Sequence, residues 1–159
     1  MIPSAPSRDT KSSAERRLFE KFEHLPGFDD WTCLHSLRLS RSDYSVCGEI
    51  DFLLIGPLGV FVCEVKGGAV SYDGKTWRHE NRYGKVSFKD RGPMTQAEQA
   101  MFSLKSNLEG SSRSELADGV LFGWFVVFPD IDFEVSSSEW DGAEVLDQTS
   151  VATLDGLSR

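Results

Sequence analysis

The stretch "GEIDFLLIGPLGVFVCEVKGG", residues 48–68, sets Glu49, Asp51, Glu64 and Lys66 into an otherwise apolar hairpin. Charged side chains are rarely buried unless they are paired or hold something, so these four require a chemical account. If the "GPLG" loop is symmetric about the Pro57–Leu58 bond, the antiparallel partners are Gly56 with Gly59, Asp51 with Glu64, and Glu49 with Lys66. Side chains alternate along a strand, so this register puts all four charges on one face. It leaves Ile50, Phe52, Leu54, Phe61, Cys63 and Val65 on the other as core. Asp51 opposite Glu64 is a repulsive pair unless positive charge lies between them. A divalent cation is one solution, because hard cations take carboxylate oxygens. A surface salt-bridge ladder, with Glu49 on Lys66, is the other.

The elements that must position these residues are legible from periodicity. Ala14, Leu18, Phe22 and Leu25 fall at helical spacing, and Ser12 with Glu15 makes a capping box for a helix from Ser12 to about Leu25. "WTCLHSLRL" (31–39) reads as a first strand, and the hairpin supplies strands at about 48–55 and 60–66. Residues 69–91 read as a polar, basic insert with two or three short strands. After "RGP", Met94, Ala97, Met101, Leu104 and Leu108 predict a second helix, with Thr95 and Glu98 as its capping box. "GVLFGWFVVF" (119–128) suits a strand covered on both faces. Beyond it the chain is acidic and irregular, with a short strand near Val145 and a helix beginning at "VATLDGL". The order helix, three strands, polar insert, helix, strand predicts an α/β sandwich with a mixed sheet between helices.

At 159 residues, 40% hydrophobic and 26% charged, the chain has the size and composition of one globular domain. No apolar run approaches the ~20 residues of a membrane span. The opening "MIPSAPSRDTK" lacks the apolar region of a signal peptide and reads as a disordered arm. Cys33, Cys47 and Cys63 are scattered without a CxxC pair, which predicts reduced thiols in a cytoplasmic protein; His24, His35 and His79 are equally dispersed, so no zinc site is expected. The net charge of −8 is uneven, since residues 115–159 carry ten acids against a single arginine. The window 73–91 is locally basic, with Lys75, Arg78, Arg82, Lys85, Lys89 and Arg91. Overall acidity argues against non-specific duplex coating but leaves room for a local polyanion site. Tyr72, Trp77 and Tyr83 in that insert either stack on nucleotides or form a small satellite core, and Trp77 is expected in the core.

Asp51 followed by Glu64-Val65-Lys66 after an apolar hairpin resembles the PD-(D/E)XK nuclease superfamily. More narrowly, the GEID–hairpin–EVK string is similar to the nuclease-related domain (NERD) family. "SAERRLFEKF" in the first helix, "GPMTQAEQA" in the second and "VVFPD" after the late strand extend the match over most of residues 12–130. The proline that names the superfamily is absent, with Glu49-Ile50 preceding Asp51. The resemblance implies a restriction-endonuclease-like αβββαβ core that hydrolyses phosphodiester bonds with Mg²⁺, Mn²⁺ substituting. It implies that Asp51, Glu64 and the Val65 carbonyl hold the metal, with Glu15 as an additional carboxylate. Lys66 would orient or deprotonate the attacking water, and Gln96 would help to position it. Glu15 has an alternative as a capping residue only, and Gln96 as a solvated first-turn residue.

The expected organisation is an arm at 1–11, a nuclease-like domain at 12–130, and an acidic extension at 131–159 leading toward a further domain. The expected partner is nucleic acid, DNA rather than RNA, touched by Arg78, Arg82 and Lys85. No membrane partner is expected; a fused or associated helicase or kinase domain and a homodimer are. A docking module that keeps the fold without catalysis, and a purely structural assembly domain, are the rival readings.

Overall fold

The computed structural model describes residues 1–6, 10, 12–39 and 48–157, with side chains to residue 153. Helix α1 (Ser13–Glu23) precedes three strands, β1 (Thr32–Arg38), β2 (Glu49–Gly56) and β3 (Gly59–Val65). An insert of three short strands follows: β4 (Ala69–Tyr72), β5 (Trp77–Glu80) and β6 (Val86–Lys89). Helix α2 (Pro93–Glu109), strand β7 (Phe122–Val127), the short β8 (Val145–Leu146) and helix α3 (Gln148–Leu157) complete the chain. The central sheet has the order β1-β2-β3-β7-β8; the first three strands are antiparallel, and β7 and β8 join in parallel. The expected αβββαβ order, mixed sheet and polar β insert are all present. Among the described residues no helix is long and apolar enough to cross a membrane.

Both faces of the sheet are covered. On one, Ala14, Leu18, Phe19 and Phe22 of α1 and Val151 of α3 pack on Phe52, Leu54, Cys63, Val65 and Val127. On the other, Met101 and Leu104 of α2 pack on Ile50, Leu53 and Val62. The insert forms its own sheet, β4-β5-β6, and closes over the start of α2. There Trp77 is 5% exposed and stacks on Tyr72 at 4.6 Å, beside Met94, Phe128 and Trp140. Trp77 is thus a core residue. It also accounts for the glycine of "RGP", since a Cβ on Gly92 would lie 2.4 Å from the indole Nε1.

The hairpin register is the symmetric one, with Gly56 opposite Gly59 and Phe52 opposite Cys63. Gly59 has φ +135°, and a Cβ there would meet the Leu121 carbonyl at 2.3 Å, so this turn needs glycine.

Three expectations change. Strict alternation would put Ile50 beside Phe52, yet Ile50 packs on the α2 side and Phe52 on the α1 side. The break falls at Asp51: the β1–β2 register skips Ser36 opposite Asp51, and Ser36 has φ +58°. A left-handed residue kinks an edge strand locally, and its neighbour loses the regular alternation. Second, α2 starts at Pro93 with Gly92 as N-cap and no side-chain cap bond, so Thr95 is inside the helix and makes no capping box. Proline at N1 sets the helical φ and has no N–H to satisfy. Third, part of the expected disordered arm lies against the sheet: the Ile2 N–H donates to the Cys33 carbonyl at 2.8 Å, and the His35 N–H to the Ile2 carbonyl at 2.9 Å. The thiols of Cys33 and Cys63 are free and buried, while Cys47 lies outside the described residues.

Candidate active site

The kink at Ser36 and Asp51 determines what Asp51 does. Instead of continuing the ladder opposite Glu64, its carboxylate Oδ2 accepts the Val65 N–H at 2.8 Å. The side chain therefore occupies a backbone position of the hairpin and is anchored by the strand that carries Glu64. Glu64 is 7% exposed and accepts from the Lys66 ammonium in a close ion pair. Glu49 does not reach Lys66; it accepts from the Ser36 hydroxyl, so the ladder pairing of Glu49 with Lys66 does not form.

Burial, reinforced by the charges of Glu64 and Glu15, pushes the pKa of the Asp51 carboxyl up to about 8. The Val65 N–H and the Lys66 ammonium oppose that rise only in part. In this poorly solvated corner, beside Glu64 and Glu15, the Asp51 carboxyl therefore keeps its proton at neutral pH unless a cation joins it. Burial also raises the Glu15 carboxyl above its ordinary value, against the pull of Ser12 and His35. Full burial, reinforced by the same negative field, pushes the Cys63 thiol up, so it packs as an inert apolar group.

Glu15 makes the Ser12 half of the expected capping box and also has a partner outside α1. Its N–H donates to the Ser12 hydroxyl at 3.2 Å, which caps α1, while its carboxylate lies 3.6 Å from Nε2 of His35. His35 is a site neighbour that sequence reasoning misses. Its side chain is wholly buried between Phe19 and Phe52, and neither ring nitrogen makes a hydrogen bond. A lone histidine in an alternating strand gives no warning of this, because its neighbour Glu15 comes from another element.

Asp130 is missed in the same way, though it closes the "VVFPD" string. It accepts from the Gly68 N–H at 2.7 Å and pairs with Arg17 of α1. One carboxylate thus ties the turn after Lys66 to α1 and to the end of β7. Replacing it with alanine is expected to lower stability by about 1–3 kcal/mol in urea denaturation, with Asp130→Asn intermediate because it keeps an acceptor for Gly68.

The other predicted residues are placed less centrally. Gln96 is half-buried in the first turn of α2, its N–H on the Gly92 carbonyl. Arg78 is engaged by Glu80 at 2.5 Å, and Lys85 is exposed on the β5–β6 turn. Arg82 lines a cleft of about 710 Å³ that also holds Glu15, Val65, His79, Tyr83 and Asp130. The structure therefore joins Glu15, Asp51, Glu64, Val65 and Lys66 in one corner with Arg82 across a cleft, and leaves Arg78 in an ion pair of its own.

Carboxylates and a backbone carbonyl are hard oxygen donors, the set that Mg²⁺ and Mn²⁺ take. Among the described residues no three His, Cys, Asp or Glu side chains form a ready-made metal cage. Mg²⁺ does not need one, because it usually keeps several waters and binds through one or two carboxylates. The donor set fits the ion.

A mixed sheet in αβββαβ order, with acid, acid and lysine gathered at the end of its central hairpin, is the architecture of a nuclease-like α/β domain. The family model described as "Nuclease-related domain" (NERD) matches residues 10–129, three quarters of the chain, and the chain belongs to that family. No curated protein and no solved structure gives a significant match.

Proposed function

We propose that the chain is a metal-dependent nuclease hydrolysing phosphodiester bonds of DNA. The observation that carries this reading is the Asp51 corner. Its carboxylate is anchored on the Val65 N–H, and burial with two further acids drives its pKa to about 8. Such a cluster weakens the fold by itself, and binding a cation offsets that cost. A salt-bridge ladder is disfavoured, because Glu49 is bonded elsewhere and Asp51 is left with an excess of like charge.

In this mechanism Asp51, Glu64 and the Val65 carbonyl would hold the ion, and Glu15 would add a carboxylate from α1. When bound, a divalent ion would supply Lewis acidity and make a nearby water easier to deprotonate. Lys66 leaves Glu64 for the substrate, orients the attacking water and neutralises charge that builds on the phosphate. Gln96 contributes from α2 a hydrogen-bonding group for the same water. Asp130 keeps the Gly67–Gly68 turn fixed to α1, so that Lys66 and Glu15 stay in register. Arg82, on the cleft wall, takes backbone phosphate.

A cleavage assay titrated with Mg²⁺ and Mn²⁺, with Asp51→Asn as control, tests the reading. Metal-dependent cleavage by the wild type and none by Asp51→Asn is expected. Nucleic-acid binding without cleavage at any metal concentration would instead make the chain a docking module on a nuclease fold.

A further inference from the structure

The tip of the β5–β6 hairpin is closed by several hydrogen bonds on Asn81. The Asn81 side-chain oxygen accepts from the Tyr83 and Lys85 N–H groups, both at 3.0 Å. The Asn81 N–H donates to the Lys85 carbonyl at 3.0 Å, the Gly84 N–H to the Asn81 carbonyl at 2.9 Å, and Gly84 supplies φ +76°. Four bonds on five residues hold a phenol ring in the open: Tyr83 is 77% exposed. The Arg82 guanidinium lies 4.8 Å from the ring centroid and donates to the phenol oxygen at 2.5 Å. Two residues before Asn81, His79 Nε2 meets the Gly67 carbonyl at 2.8 Å, which ties the tip end of the hairpin to the turn just after Lys66.

Arg82 and Tyr83 line the same cleft as Glu15 and Val65. A solvated aromatic carried on a hydrogen-bonded turn, with a cation against it, is a surface suited to a flat, electron-rich ring. Inside a duplex the bases stack on one another and offer no such face; an unpaired base does. The cleft, about 710 Å³, is large enough to take a nucleotide.

Resting on the nuclease reading of the neighbouring carboxylates, we infer that Tyr83, with Arg82, stacks an unpaired base beside the acidic corner, making single-stranded nucleic acid the substrate class. The Tyr83 ring holds the base, and the strand backbone runs across the cleft toward Glu15 and Val65.

The test measures binding of the intact chain in EDTA to a short single DNA strand carrying a fluorescent 2-aminopurine, and to a blunt duplex of the same length. Tyr83→Ala should weaken single-strand binding about 5- to 100-fold and abolish the stacking quench, whereas Tyr83→Phe stays near wild type. Duplex binding, weak throughout, should not change. Because Tyr83 is so exposed, both variants should melt with the wild type, which separates lost stacking from lost folding. Unchanged single-strand affinity in Tyr83→Ala, or an equal loss for duplex, overturns the inference. Since no metal or cleavage enters this experiment, its failure is distinct from failure of the nuclease reading, which the metal-titrated assay alone decides.

Discussion

Glu64→Gln should lose metal-dependent cleavage by on the order of 10³-fold while keeping native-like far-UV circular dichroism. The carboxylate is 7% exposed, adds its charge to that of Asp51 and holds the Lys66 ammonium. An amide of the same shape removes one charge from the ion's ligands and one anchor from the lysine. Losing a single preorganised charged group in a poorly solvated site commonly costs about 10²–10³ in rate, and losing an acid–base group about 10²–10⁴. The fold should suffer little, since the neutral amide also relieves the repulsion on Asp51. Lys66→Ala should be equally inactive but less stable, because Glu64 then remains buried beside Asp51 without its cation. Single-turnover cleavage and thermal melts of the two variants check this pair of outcomes. Cleavage retained by purified Glu64→Gln would remove Glu64 from the site.

The metal-free protein should become less stable as pH rises from about 5 to about 8.5, and Mg²⁺ should reverse that trend. The native Asp51 carboxyl titrates at about 8, against roughly 3.9 in an unfolded chain. Between those values the native state keeps a proton that the unfolded state has released, so stability falls with rising pH. The contribution is complete below the unfolded value and is lost as pH passes the folded one. A tenfold change in proton affinity corresponds to ~1.4 kcal/mol, so the effect is on the order of several kcal/mol. Glu15, also raised, adds the same sign. Asp73 and Asp147 are lowered by backbone hydrogen bonds, and their opposite contribution is lost only in acid, outside this window.

An ion competes with the Asp51 proton, so Mg²⁺ stabilisation should grow toward pH 8. At about a hundredfold excess over Kd it is worth about 2.7 kcal/mol, or several degrees in Tm for a domain of this size. Asp51→Asn keeps an acceptor for the Val65 N–H without the charge. It should therefore melt at or above wild type at pH ~8.5 without metal, show a flatter pH profile, and lose most of the Mg²⁺ shift. A wild-type melting curve unmoved by millimolar Mg²⁺ and Mn²⁺ at pH ~8 would mean that the acidic corner holds no ion.

Much of this molecule could be read from one dimension, because the relevant forces are local. The apolar spacing of Ala14, Leu18 and Phe22 defines α1, that of Met94, Ala97 and Met101 defines α2, and each becomes a core face. The two-glycine turn at 56–59 sets the hairpin register through Phe52 and Cys63, and with it the neighbourhood of Asp51 and Glu64. Side-chain alternation and turn geometry are properties of a few consecutive residues, so they survive translation into three dimensions. What tertiary structure alone decided is where that alternation stops. The left-handed Ser36 on β1 breaks the pattern at Asp51 on β2, and the freed carboxylate takes the Val65 N–H on β3. Three strands must be assembled before that contact exists. The same holds for Glu15 against His35, for Asp130 binding Gly68 and Arg17 together, and for Arg82 sharing a cleft with Glu15. Each joins residues far apart in the chain, whose energies come from burial and charge in a shared corner, quantities that a local pattern does not contain.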